Sequence, residues 1–168
     1  MKKNLILLGM MGVGKSTLGK IAAKKQGLKF IDTDLNIEKK CSMKIAEIFK
    51  KRGEKFFRNL EEEITLKSLN SINNVISLGG GGFINEKIRR EVLKNNFSFW
   101  LNCNTQTLLN RIRSSKKRPL VFNLNDSELA ELIVKRTKIY SKAQFKINCH
   151  KLTKTEIVKK ILKIYENN

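Results

Sequence analysis

Apolar residues gather in short unbroken runs separated by longer stretches of mixed polarity. Residues 4–8 (NLILL) form the first run, closed by Gly9, and residues 29–32 (KFID), 75–78 (VISL), 97–101 (FSFWL) and 145–148 (FKIN) form four more. Residues 4–8 and 75–78 predict strands buried in a parallel sheet, the first on both faces, and 29–32, 97–101 and 145–148 predict further strands. Helical spacing and stop signals fill the gaps. Lys15 to Gln26 predicts a helix stopped by Gly27. Ser42 is expected to cap a helix through about Lys51, with Gly53 interrupting it before a longer helix from Glu54 to about Leu69. Asn85 and Thr105 are expected to cap helices ending near Lys94 and Arg113, and Asp126 to about Tyr140 is a further helix. Thr153-x-x-Glu156 is a capping-box pattern ahead of a last amphipathic helix ending near Tyr165. Strands alternating with helices give the fold class α/β, with a central five-stranded parallel sheet and right-handed crossovers. No repeat, linker or low-complexity segment interrupts the pattern, so residues 1–168 are expected to form one domain.

Composition narrows the classes. With 40% hydrophobic and 30% charged residues, a disordered polymer and a multi-span membrane protein are excluded. No stretch approaches the length of a membrane span. Lys2 and Lys3 before Leu5–Leu8 imitate a signal peptide, but the run is short, breaks at Gly9 and lacks a convincing cleavage site. Cys41, Cys103 and Cys149 show no CxxC spacing, and one His is present. That excludes a disulfide framework, argues against structural zinc and fits a reducing cytoplasm. The 35 Lys+Arg against 15 Asp+Glu give a net charge of +20. Such a charge fits a nucleic-acid partner, an anionic small substrate or a Lys/Asn-rich bias.

Gly9-Met10-Met11-Gly12-Val13-Gly14-Lys15-Ser16 matches G-x-x-x-x-G-K-[ST] between a predicted strand and a predicted helix, the context that gives this motif its meaning. Glycines let backbone N–H groups converge on a phosphate, and the helix N-terminus adds a positive end. Lys15 can reach the β- and γ-phosphates, and Ser16 can ligate Mg²⁺. The loop establishes nucleotide binding and leaves the acceptor open.

Further features fall where strand ends should face this loop. Asp32-Thr33-Asp34 puts two carboxylates at i and i+2; one can hold Mg²⁺ through water and the other accept a proton, or the pair can cap a helix. Arg58 and Glu61 are helical neighbours, read either as an oriented clamp for a substrate carboxylate or as a surface ion pair. Gly79 to Gly82 follow a buried strand, as backbone lying against a ligand or as a flexible turn. Residues 114–125 lack apolar periodicity and contain Lys116, Lys117, Arg118 and the only proline, Pro119. They read as a lid that brings Arg118 to the transferring phosphoryl group, or as a solvated basic loop. Arg136 offers a second positive charge to the substrate, or is a solvated helix residue.

In combination and in order, G-M-x-G-x-G-K-S, D-T-D, F-R-x-x-E, the glycine run and R-P-L resemble the shikimate kinases, members of the nucleoside monophosphate kinase-like P-loop enzymes, over nearly the whole chain. The resemblance implies a three-layer α/β/α P-loop kinase with a substrate-binding segment at about 34–60 and a lid at about 114–125. It implies ATP-dependent phosphorylation of the shikimate 3-hydroxyl, giving shikimate 3-phosphate and ADP on the route to chorismate and aromatic amino acids. Asp34, Arg58, Gly79, Gly80, Gly81 and Arg136 are then expected to bind shikimate. Gly12, Val13, Gly14, Lys15, Ser16, Thr17, Arg111, Arg118 and Thr153 are expected to bind ATP, with Arg111 stacked on adenine. Ser16 and Asp32 are expected to serve Mg²⁺, and Lys15, Asp34 and Arg118 to carry catalysis. A cytoplasmic monomer without nucleic-acid or membrane partners is implied. Gly82 extends the family's triple glycine by one, and the strand before it carries Ser77 in place of a Walker-B Asp. The competing readings are another P-loop kinase, acting on a nucleotide or sugar acid, and a nucleic-acid-binding ATPase. The charge is spread over most helices without interleaved aromatics, which weighs against the latter.

Overall fold

The computed structural model describes residues 3–114, 121 and 124–168. Five strands, β1 (Leu5–Leu8), β2 (Lys29–Asp32), β3 (Asn74–Ser77), β4 (Phe97–Asn102) and β5 (Phe145–Asn148), form one sheet in the order β2-β3-β1-β4-β5. Every pairing is parallel. β1 is central, and its Leu5, Ile6, Leu7 and Leu8 are at most 1% exposed, which explains an apolar run without alternation.

Seven helices are described: α1 (Lys15–Gln26), α2 (Thr33–Cys41), α3 (Ile45–Leu69), α4 (Glu86–Asn95), α5 (Thr105–Arg113), α6 (Asp126–Tyr140) and α7 (Lys154–Glu166). The chain crosses the sheet one way from β1 to β2 and the other way from β3 to β4. Right-handed crossovers therefore put α1 and α4 on opposite faces, giving three layers. A functional rim results where the C-terminal ends of β1, β2 and β3 meet.

Two expected caps move. Ser42 does not start a helix; it closes α2 in the left-handed region at φ 49°, its N–H donating to the carbonyls of Glu38 and Lys39. Helix α2 realises the alternative in which the Asp32-Thr33-Asp34 pair caps a helix; its apolar stripe is thin, since only Thr33 and Ile37 are buried. Asn104, not Thr105, caps α5, accepting from Thr107 N–H at 2.8 Å. Gly53 does break the helical path, at φ 79° and ψ 169°, but α3 resumes across the kink.

Buried side chains form two clusters. The main core lies about the sheet and includes Leu7, Ile76, Phe99 and Ile161. A smaller one, Ile37, Ile48, Phe57, Leu60 and Ile64, holds α2 and α3 together, with the Phe49 and Phe57 rings 4.5 Å apart. Each such side chain contributes about 1.5–3 kcal/mol by leaving water.

Candidate active site

The loop from Gly9 to Gly14 is shaped by backbone conformations that only glycine takes cheaply. Gly9, Gly12 and Gly14 have φ of 136°, 83° and 102°. A Cβ on Gly9 would also stand 2.7 Å from the Leu101 carbonyl oxygen. Gly14 is the N-cap of α1 and offers no side-chain cap, so the first-turn N–H groups stay directed into the loop. Lys15 is buried and its Nζ donates to the carbonyls of Gly9 at 2.8 Å and Met10 at 3.1 Å. Val13 is buried below the loop, whereas Ser16 and Thr17 are exposed in the first turn of α1.

The two readings of Asp32 are both realised, one on each oxygen. Oδ1 caps α2 by accepting from the N–H groups of Asp34 at 3.1 Å and Leu35 at 3.2 Å. Oδ2 accepts from Ser16 Oγ at 2.5 Å. Two hard oxygen donors thus converge beside the phosphate loop, the donor type that Mg²⁺ takes alongside water and phosphate oxygens. Among the described residues no group of three or more His, Cys, Asp or Glu is placed to hold a metal ion.

Across the rim the side chains carry alternating charge. Asp34 is half-buried in the first turn of α2. Burial, with the nearby charges of Asp32 and Glu61, pushes its carboxyl up to about 6, and Lys15 pulls the other way. Arg58 Nη1 donates to Glu61 Oε2 at 2.7 Å, and that Glu61 side chain is only 3% exposed. Glu61 thus braces the guanidinium from a buried position, which a free surface pair would not do. The glycine run makes room for these groups. A Cβ on Gly79 would collide with Asp34 Oδ1 and stand 2.9 Å from Glu61 Oε1; one on Gly81 would collide with Arg58 Nη1. At Gly80 a Cβ would be 3.6 Å from both Arg136 Nη1 and Met11 N, so Arg136 reaches the same wall. Gly82 instead starts a single 3₁₀ turn, Gly82–Ile84, which supports taking Gly79–Gly81 as the site glycines.

On the nucleotide side, Arg111 is exposed on α5 with Nη1 3.4 Å from the Gly12 carbonyl. Burial raises the Cys149 thiol to about 11, with Cys103 adding to the rise and Arg111 opposing it, so the end of β5 adjoins this arginine. Thr153 stands apart from these contacts. Its hydroxyl accepts from Glu156 N–H at 3.3 Å and donates to Glu156 Oε2 at 2.7 Å, the capping box of α7. Arg118, with Lys116, Lys117 and Pro119, lies outside the described residues.

Three contributors escaped sequence reading. Thr33 Oγ1 donates to the Ser77 carbonyl at 3.3 Å and accepts from Gly79 N–H at 3.0 Å, tying β2 to the glycine run. Tyr140 donates its hydroxyl to the Gly80 carbonyl at 2.6 Å, and burial pushes that phenol up to about 12. Glu54 Oε1 lies 3.3 Å from both Nε and Nη2 of Arg58. Two of them were visible as spacing: Tyr140 is four residues after Arg136, and Glu54 four before Arg58.

Chemically, the cleft pairs an anion-binding loop with a carboxylate poised near neutrality and with guanidinium groups that fit a carboxylate or phosphate. Comparison with known proteins agrees with that chemistry. The family model described as shikimate kinase matches residues 11–166. The chain is 38% identical over 167 residues to the shikimate kinase of Bartonella quintana, covering 99% of this chain and 80% of that one. It is similar to the solved shikimate kinase of Aquifex aeolicus, with a TM-score of 0.87, 34% identity, and 98% and 97% of the two chains covered. It is also similar to the Acinetobacter baumannii shikimate kinase solved in complex with shikimate, with a TM-score of 0.93, 28% identity, and 100% and 95% covered.

Proposed function

The chain belongs to the shikimate kinase family, an ATP-dependent kinase that phosphorylates shikimate, and from that premise we propose how its own residues divide the work. One observation carries the reading: Asp34, the Arg58–Glu61 pair, Gly79–Gly81 and Arg136 converge on one rim opposite Lys15 and Ser16.

Arg58 and Arg136 clamp the carboxylate of shikimate, the fork of Arg58 making two parallel charge-assisted bonds. Asp34 accepts a hydrogen bond from the 3-hydroxyl and takes its proton. The hydroxyl oxygen then forms the new bond to the γ-phosphorus, the bond to the β,γ-bridging oxygen breaks, and ADP leaves. The products are shikimate 3-phosphate and ADP. Backbone N–H groups of Gly12, Val13 and Gly14, the first turn at Lys15, Ser16 and Thr17, and the Lys15 ammonium hold the phosphates. Arg118, from a lid at about 114–125, adds charge at the transferring group. Arg111 packs on adenine with residues near Thr153. Ser16 and Asp32 would hold Mg²⁺, whose charge would offset that of the nucleotide phosphates. Little covalent chemistry falls to the protein, so position and electrostatics dominate.

In this reading residues 1–168 work as one domain, a cytoplasmic monomer whose partners are ATP and shikimate rather than nucleic acid or membrane. Segment 34–60 supplies most substrate contacts. Among the described residues no helix is long and apolar enough to cross a membrane. A coupled ADP-release assay with shikimate, gluconate and nucleoside monophosphates in parallel tests the substrate. Turnover with shikimate alone is expected. Comparable turnover with either competitor class would sink the assignment of Arg58 and Arg136 to a shikimate carboxylate.

A further inference from the structure

The Arg58 guanidinium lies 5.2 Å from the centre of the Phe57 ring, and its contacts with Glu61, Gly81 and Glu54 are unequal. Glu61 accepts from Nη1 at 2.7 Å with a side chain 3% exposed. Gly81 lies flat against the same nitrogen, leaving no room for a Cβ. The third contact is Glu54. A single oxygen, Oε1, is shared between Nε and Nη2 at 3.3 Å each, and this side chain is 63% exposed. Glu54 also directly follows the Gly53 break in α3, so no continuous helical turn precedes it to confine its side chain.

The Nε–Nη2 edge is a two-donor fork that a carboxylate fills with both oxygens in parallel bonds. Glu54 fills it with one oxygen, at long range and in water, the kind of i,i+4 pair that holds weakly. Glu61 is thus a permanent brace and Glu54 a temporary occupant of the opposite edge. We propose that Glu54 is the displaceable stand-in for the substrate carboxylate: the entering acid exchanges with it on the Arg58 fork. Glu54 thereby lowers affinity for every acid and leaves the binding of neutral acceptors unchanged, so it sets the strength of acid binding at the Arg58 fork. A neutral group cannot displace it, so the fork stays occupied and contributes nothing to binding. The proposal rests on Arg58 being the carboxylate clamp and adds to it a residue that sets the affinity for the acid.

Equilibrium titration calorimetry with shikimate, without nucleotide, tests this on the full chain carrying Glu54→Gln. Removing the competing charge should lower the shikimate Kd by about three- to ten-fold, the scale of a weakly screened like-charge contact near a protein surface. The KM for shikimate should fall in parallel with kcat nearly unchanged. A shikimate analogue with a carboxamide in place of the carboxylate should bind native and variant alike. An unchanged or increased shikimate Kd would make Glu54 a fixed brace and overturn the proposal. A measurement on the native enzyme removes dependence on the variant's fold. The side-chain carboxyl ¹³C resonance of Glu54 should move on titration with shikimate and stay in place with the carboxamide; movement with neither overturns the proposal. Should the native enzyme bind acid and carboxamide equally, the Arg58 clamp itself fails. That result is distinct from a native enzyme that prefers the acid while Glu54→Gln changes nothing.

Discussion

The stretch from Gly9 to Ser16 and the wall made by Asp34, Arg58 and Gly79–Gly81 face the same cleft but are built differently. The first is one continuous segment, shaped by backbone and seated on the main core through Val13 and Leu18. The second is assembled from α2, α3 and the loop after β3, and its α2–α3 portion rests on the smaller cluster around Ile37, Ile48 and Phe57. The phosphate side keeps its geometry because glycine conformations and helix α1 impose it. The acceptor side keeps its geometry because opposite charges lie packed against glycines over few apolar contacts. Regions with fewer buried contacts open at lower free energy. On this ground the Gly9–Ser16 loop is expected to be the more rigid region and the wall on α2 and α3 the more adaptable one.

The largest expected effect lies on the rigid side. Lys15→Met keeps the aliphatic stem and removes the charge. It should cost about 3 kcal/mol or more of transition-state stabilisation, more than a hundred-fold in turnover. Circular dichroism should show an intact fold. Near-normal turnover in a folded variant would remove Lys15 from the chemistry.

Next comes a matched pair of core truncations. Ile76 in β3 and Ile48 in α3 are both fully buried, in the main and the small cluster respectively. Either change to Ala should cost about 2–5 kcal/mol locally. Ile76→Ala should lower the global Tm. Ile48→Ala should instead speed hydrogen exchange across 33–52 and raise the shikimate KM, with a smaller Tm change. Equal Tm losses and an unchanged KM would mean that the α2–α3 arm is no separate unit.

The same contrast explains what was legible in the sequence. The phosphate loop is local: spacing, strand and helix lie in one window, and the structure keeps Gly9 to Ser16 as read. The central strands were equally plain, because they bury both faces, and β3 begins only one residue earlier than expected; the edge strands β2 and β5 are half exposed and show only as short runs between helices. The acceptor wall is non-local. Arg58–Glu61 could be read as a pair because both lie on one helix. The dependence of Gly79 on Asp34 and Glu61, and of Gly81 on Arg58, joins residues far apart in the chain and exists only once they pack. Helix α2 stood as one of two alternatives for a related reason: its start is dictated by Asp32, whose carboxylate serves a cap and Ser16 at once. Ser42 then looked like a beginning when it was an end.

A third prediction tests whether the acceptor wall selects by charge. Arg58→Lys keeps the charge but loses the fork. Each charge-assisted bond is worth about 1.5–3 kcal/mol, so the shikimate KM should rise about ten- to hundred-fold with ATP affinity little changed. A neutral analogue should be a poor substrate for the native enzyme and nearly indifferent to the substitution. Equal losses for acid and neutral analogue would make Arg58 structural.

The smallest effect is one of stability, and it bears most directly on the contrast. Burial and the neighbouring Asp32 and Glu61 raise the Asp34 carboxyl from 3.8 to about 6. The folded state therefore holds this proton more tightly than the unfolded chain does. Below about pH 4 both states are protonated and the group favours the fold. As pH rises through about 6 that contribution is lost, and at pH 8 the buried charge leaves the protein about 1–3 kcal/mol less stable than a neutral group would. Asp34→Asn is neutral at every pH. It should melt higher than the native protein at pH 8, with the gap closing toward pH 4, even as the missing proton acceptor lowers turnover. Thermal melts of both proteins from pH 4 to 8 measure this. A variant less stable than native at pH 8 would mean that the Asp34 carboxylate is held by favourable partners. The acceptor wall would then carry no strain, and its difference from the phosphate loop would reduce to the size of the core beneath it.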